Sequence, residues 1–188
     1  MCRIEKCFLL LLLLLPMSVE AKGGGWRVIE NKFYSLMLPA EWCPQPGMPG
    51  NGVEPGMRRV KPYLIYYFAW HTPIKDKNDI PTCIGIDIQT YEKADGSVVS
   101  LDEARKLTIP PSVRVENSYP SSDTLYCTGI KKSKEMDGST MEYKVFYLLE
   151  KDGKRVHCVK LDLRKDYYDK SSEVQKLVFA ILNSFVVI

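Results

Sequence analysis

The residues that most limit how this chain can fold are Tyr63 to Trp70, eight consecutive apolar side chains of which five are aromatic. Successive side chains of a strand point to opposite faces, so both faces of such a strand must be covered. Cys83 to Tyr91 alternates more cleanly, with Ile84, Ile86 and Ile88 on one side. Upstream, Trp26 to Glu30 and Phe33 to Leu38 read as strands, the second ending at Pro39.

Helix and turn signals follow. Asp95-Gly96 marks a turn, and Ser100-Leu-Asp-Glu103 has the capping-box spacing that opens a short helix with Leu101, Ala104 and Leu107 inward. Ile109-Pro110-Pro111 stops it. Leu125 to Lys131, Met141 to Leu149 and Val156 to Leu163 read as a three-strand meander, turned at Asp137-Gly138 and Asp152-Gly153. Ser172 is placed to cap a final helix, with Gln175 three residues on and Glu173 at the positive end of the dipole. Val174, Leu177, Val178, Ile181, Leu182 and Phe185 form one apolar stripe along it. The order of elements predicts an α+β fold, a largely antiparallel twisted sheet with helices packed on it.

The first residues predict export. Arg3 and Lys6 precede an unbroken apolar run from Phe8 to Leu15, Pro16 ends it, and Val19-Glu20-Ala21 suits a cleavage site. That run is too short for a bilayer-spanning helix, which needs ~20 residues. No cysteine follows it closely enough for a lipid anchor. Residues 1–21 are thus expected to be a secretory signal peptide and residues 22–188 one domain, without a transmembrane anchor and located in the periplasm or outside the cell. The 45% hydrophobic and 26% charged residues are those of a globular protein. Charges of both signs alternate around a net charge of +3, which argues against nucleic-acid binding.

Cys43, Cys83, Cys127 and Cys158 remain after cleavage and allow two disulfides in three pairings. Their spacing is unlike a zinc site. Tight turns would set Tyr147 opposite Cys158 and Cys127 near Leu148, so the two cysteines would flank one strand. Two strand spacings are ~10 Å, which disfavours Cys127–Cys158 and with it Cys43–Cys83. From Cys43 to Pro62, both included, stand five prolines and four glycines, a density that predicts a loop free of helix and regular strand.

The segment Phe33-Tyr-Ser-Leu-Met-Leu-Pro39-Ala-Glu-Trp42, the Ser100 capping box, the Asp152-Gly153 hairpin and the ending Ile181-Leu-Asn-Ser-Phe185 together resemble the PsbP/Mog1/DcrB-like superfamily of small α/β/α sandwich domains. The likeness spans roughly residues 26–186. It implies a binding, assembly or chaperone-like role without naming a partner, and no functional residue is carried over. The loop at 43–62 and the four cysteines depart from the common pattern.

Catalytic signals are thin. His157 and Cys158 are strand neighbours and point to opposite faces, and His71 has no visible cysteine partner. There is no Gly-x-Ser-x-Gly elbow and no phosphate loop. Asp76-Lys-Asn-Asp79 lacks EF-hand spacing, while Asp162, Asp166 and Asp169 are interleaved with Arg164, Lys165 and Lys170 as a self-neutralising face. No metal and no cofactor is expected. What remains is recognition: Met48, Met57, Arg58, Arg59 and Lys61 on the proline-stiffened loop, with Tyr63, Tyr67 and Trp70 as a candidate groove. The expectation is a non-enzymatic exported binding or accessory protein, in a narrower version an immunity-type protein, that recognises a protein or envelope component. The alternative is a small secreted hydrolase.

Overall fold

The computed structural model describes residues 25–45, 55–76, 78–135 and 138–188. The predicted signal segment 1–21 and Met48 lie outside them. Numbered along the chain, the strands are β1 (Trp26–Glu30), β2 (Tyr34–Pro39), β3 (Cys43–Pro44), β4 (Gly56–Val60), β5 (Tyr63–His71), β6 (Ile84–Lys93), β7 (Val113–Pro120), β8 (Thr124–Lys134), β9 (Thr140–Asp152), β10 (Arg155–Arg164) and β11 (Val186–Val187). The helices are α1 (Leu101–Thr108), α2 (Lys165–Lys170) and α3 (Ser172–Asn183).

An eight-stranded antiparallel sheet carries the fold, in the order β3-β5-β6-β10-β9-β8-β7, with β4 also paired to β5. Strands β3 and β4 share the outer edge of β5. Cys43 pairs with His71 at one end, and Val60 pairs with Tyr63 at the other. The alternation in β6 decides which side is which. Ile84, Ile86 and Ile88 join Phe68, Trp70, Val159, Leu161 and Phe146 on a first face, over which lie α3 and the small sheet β1-β2-β11. Ile65, Tyr91, Cys127, Leu149, Val156 and Cys158 form a second core on the other face, closed by Ala104 of α1 with Leu101 and Ile109.

The terminal stripe packs as expected. Val174, Val178, Ile181 and Leu182 are buried, each stabilising the fold by about 1.5–3 kcal/mol. Its cap is Ser171 and not Ser172: the Ser171 hydroxyl accepts from the Val174 amide at 3.3 Å. The box at α1 forms as spaced, Ser100 Oγ accepting from the Glu103 amide at 3.2 Å and Glu103 Oε2 from the Ser100 amide at 2.8 Å. Leu107, expected inward, is 42% exposed. Thr108 takes the inward place and donates to the Tyr91 hydroxyl at 2.9 Å.

Three further expectations change. Gly56–Val60 is a regular strand inside the segment expected to be a strand-free loop, because its five residues contain no proline and pair fully with Tyr63 to Tyr67. The β9–β10 hairpin turns at Gly153-Lys154, with Asp152 opposite Arg155, so Cys158 faces Leu149 instead of Tyr147. Gly153 sits first in that turn at φ 53°, where a II′ turn calls for glycine. Cys127 pairs with Tyr147. Lys134 pairs with Thr140 across β8 and β9, and Asp137 of the expected turn lies outside the described residues.

The disulfide expectation is also corrected. Cys43, Cys83, Cys127 and Cys158 are all free, the first two half-buried and the last two buried. Strand β9 separates Cys127 from Cys158, and β5 lies between Cys43 and β6, whose first residue follows Cys83. Sulfurs on strands separated by another are too far apart to bond.

Candidate functional site

Beyond β5 the sheet ends in β4, a short strand that turns at Lys61-Pro62 into its partner. Only Gly56 of β4 is buried. Met57 is 57% and Val60 46% exposed, and Arg58, Arg59 and Lys61 are exposed as well. Arg58 is directly opposite Ile65, and its guanidinium carbon lies 5.9 Å from the centre of the Tyr67 ring, within cation–π range. Met57, Arg58, Arg59 and Lys61 therefore gather on one sheet edge, while Met48 falls outside the described residues.

The proposed groove residues divide. Tyr63 and Tyr67 share the second face of β5, and Trp70, an odd number of residues away, turns to the first. Trp70 is buried with the Arg27 guanidinium stacked 4.0 Å above its ring, so it belongs to the core and lines no groove with the two tyrosines. Arg27 is held there by donating to the Trp42 carbonyl oxygen. The two-residue period already separated these three residues in the sequence.

Tyr63 is anchored. Its hydroxyl donates to Glu103 Oε1 at 3.3 Å, and the same carboxylate pairs with Lys93 at 2.8 Å while closing the capping box. The Lys93 hydrogen bond and the Ser100 amide hold the Glu103 carboxyl down to about 2. Burial, followed by the Glu103 charge, pushes the Tyr63 hydroxyl up. One carboxylate thus ties α1 to the end of β5 that carries β4. Tyr67 is half-buried and remains available beside Arg58.

The histidines are occupied in separate ways. His71 Nδ1 donates to the Thr72 carbonyl oxygen at 2.6 Å. Register sets Cys43 across from His71, but the Cys43 thiol donates to the Glu41 carbonyl oxygen at 3.5 Å. His157 is fully buried on the first face and shares a 2.9 Å hydrogen bond with Thr90 Oγ1. Burial pushes it down to about 4, while the same burial drives the Cys158 thiol on the other face up to about 12. Neither thiol–imidazole pairing is set for proton transfer, which needs the two groups within hydrogen-bond reach.

On the second face beyond α1, Lys160 Nζ bridges Asp87 at 2.9 Å and Asp162 at 3.3 Å. The two carboxylates raise the lysine further above its usual range against the opposing effect of burial. Gly85 makes room for Asp162, since a side-chain carbon there would stand 3.0 Å from its carboxylate. Near α2, Arg164 pairs with Asp166 at 3.1 Å and Lys165 with Asp169 at 2.5 Å, around an open hollow of about 400 Å³. These two pairs neutralise as the interleaving predicted, while Asp162 of the same expected face pairs with Lys160 instead. Among the described residues no helix is long and apolar enough to cross a membrane.

An antiparallel sheet with a few helices packed against it places the chain in the α+β class. Three solved structures are similar over most of the chain. The Ran-binding protein Mog1p of Saccharomyces cerevisiae is similar at 9% identity and a TM-score of 0.47, over 87% of this chain and 96% of that one. LpqN of Mycobacterium tuberculosis, described as involved in cell envelope biogenesis, shares 12% identity at a TM-score of 0.41, over 89% and 87%. The PsbP protein CyanoP of Synechocystis sp. PCC 6803 shares 10% identity at a TM-score of 0.38, over 90% and 96%. No protein-family model and no curated protein matches. The functional argument rests on this chain's own residues.

Proposed function

We propose that this chain is an exported, non-enzymatic binding protein whose partner, a protein or other envelope component, docks on the outer sheet edge at β4. One observation carries the assignment: Met57, Arg58, Arg59 and Val60, with Lys61 in the following turn, stand exposed together along a strand whose outer side is unpaired among the described residues. Arginine beside exposed apolar groups is the composition that interfaces favour. Export is supported by the basic and apolar leader and its small-residue cleavage site.

Because β4 completes the sheet beside β5, replacing all of 44–61 by a linker would remove a strand along with the surface. Point substitutions separate the two effects. Crosslinking in the exported fraction should capture a partner with the intact protein and lose it with Met57→Ser, Arg58→Glu and Arg59→Glu combined. Equal capture by both proteins would move the binding surface elsewhere. The intact mass of the exported form should correspond to a chain beginning at Lys22, and an uncleaved chain retained in the cytoplasm would overturn the export assignment.

A further inference from the structure

We infer that the partner supplies an extended acidic segment, which β4 takes up as an additional strand. This deepens the assignment of the partner surface to β4 and rests on it. Among the described residues β4 pairs with β5 alone, so one row of its backbone N–H and C=O groups has no strand beside it. Such a row is a template for another strand.

The two edges of the large sheet differ in a telling way. The far edge, β7, carries a bulge between Val115 and Asn117 and ends at Pro120. Glu116 in that bulge pairs with Lys144 at 2.5 Å and with Arg114 at 3.5 Å. Bulges and prolines blunt an edge against pairing. Strand β4 has neither device along Gly56–Val60. It carries positive charge instead.

That charge selects the occupant. Among the described residues, Arg58, Arg59 and Lys61 take part in no ion pair. If two copies of this chain paired antiparallel through β4, centred on the two arginines, each arginine would lie opposite an arginine. Like charges directly opposite are destabilising, so a second copy is disfavoured. A strand bearing carboxylates meets the same positions favourably.

Register makes the acidic pattern specific. Met57 and Arg59 point to one face of β4, Arg58 and Val60 to the other. The complementary strand therefore has two consecutive carboxylates opposite Arg58 and Arg59, flanked by apolar residues opposite Met57 and Val60. A peptide with the same composition but carboxylates outside and apolar residues inside would oppose charge to apolar surface.

The test uses the exported protein and three dye-labelled peptides, followed by fluorescence anisotropy. Their cores are Thr-Val-Glu-Glu-Val-Thr, the permuted Thr-Glu-Val-Val-Glu-Thr, and Thr-Val-Lys-Lys-Val-Thr. The first should bind about tenfold more tightly than the permuted peptide, the gain expected from two cross-strand charge pairs. Its binding should slow hydrogen exchange at those Met57–Val60 amides that point away from β5. Arg58→Glu with Arg59→Glu, at exposed positions and with unchanged thermal unfolding, should reverse the preference toward the lysine peptide. Equal binding of the three, no binding, or protection confined to β7 would overturn the inference. If partner crosslinking still depended on Arg58 and Arg59 while β4 gained no protection, strand addition would fall and the docking assignment would stand.

Discussion

His157 sits fully buried beneath the small sheet, 6.2 Å from the Phe33 ring, with Nε2 lacking a hydrogen-bond partner among the described residues. Desolvation lowers it from 6.5 to about 4. Between those values only the unfolded chain takes the proton, so stability falls as pH falls through that window and levels off below it. The loss attributable to His157 is about 3 kcal/mol. Glu150 lies directly opposite, and burial holds its carboxyl above the usual range, which offsets part of this loss near the acid end. Urea unfolding at pH 7 and pH 4.5 should show a clear stability loss in the natural protein and a much smaller one in His157→Asn. An equal loss in both would show that another group governs the acid limb. Gly129 is the other sensitive residue. A side-chain carbon there would stand 2.8 Å from both the Arg114 carbonyl oxygen and Val113 Cγ1, so β7 can approach β8 only over a glycine. Gly129→Ala should cost about 1–3 kcal/mol in chemical denaturation, with the loosening greatest in β7 by hydrogen exchange.

Each helix owes its place to a few contacts, and those contacts predict unequal sensitivities. In α3, Ile181 is buried in the first core while Phe179, two residues earlier, is 45% exposed. Ile181→Ala should destabilise by about 2–5 kcal/mol, far more than Phe179→Ala, as read by denaturant midpoints. In α1 the box is reciprocal, and Ser100→Ala should cost about 1 kcal/mol. Glu103→Ala removes the second half of the box, the Lys93 ion pair and the Tyr63 hydrogen bond together, so it should loosen the β5 end that supports β4. Strand β7 shows why some elements escaped notice in the sequence. After Val113 every residue of it is exposed, so no buried alternation marks it. Strand β4 is nearly as exposed and lies among breakers, yet pairing with a strong neighbour is enough to extend it.

At the scale of the whole molecule, the second core takes in Cys127 and Cys158 and leaves Cys43 and Cys83 outside, which gives the four cysteines different fates. In the natural protein after export, Cys43 should react readily with a water-soluble disulfide reagent, Cys83 more slowly because burial raises its thiol, and Cys127 and Cys158 only on unfolding. Four thiols reacting at one rate, or none until reduction, would contradict the free-cysteine arrangement. Periodic burial was legible along the chain because it is local: the β6 alternation, the α3 stripe and the α1 box each need only a strand or helix period and one side chain in reach of its own backbone. Those signals determined the α+β class, the antiparallel meander and the residues of the first core. Register, edge position and partnering are not local. The turn at Gly153-Lys154 shifted the partners of β10, and β4 became a charged sheet edge because β5 had an unpaired side to offer. Backbone pairing between distant segments decided these, since its hydrogen bonds and cross-strand contacts exist only once the sheet has formed.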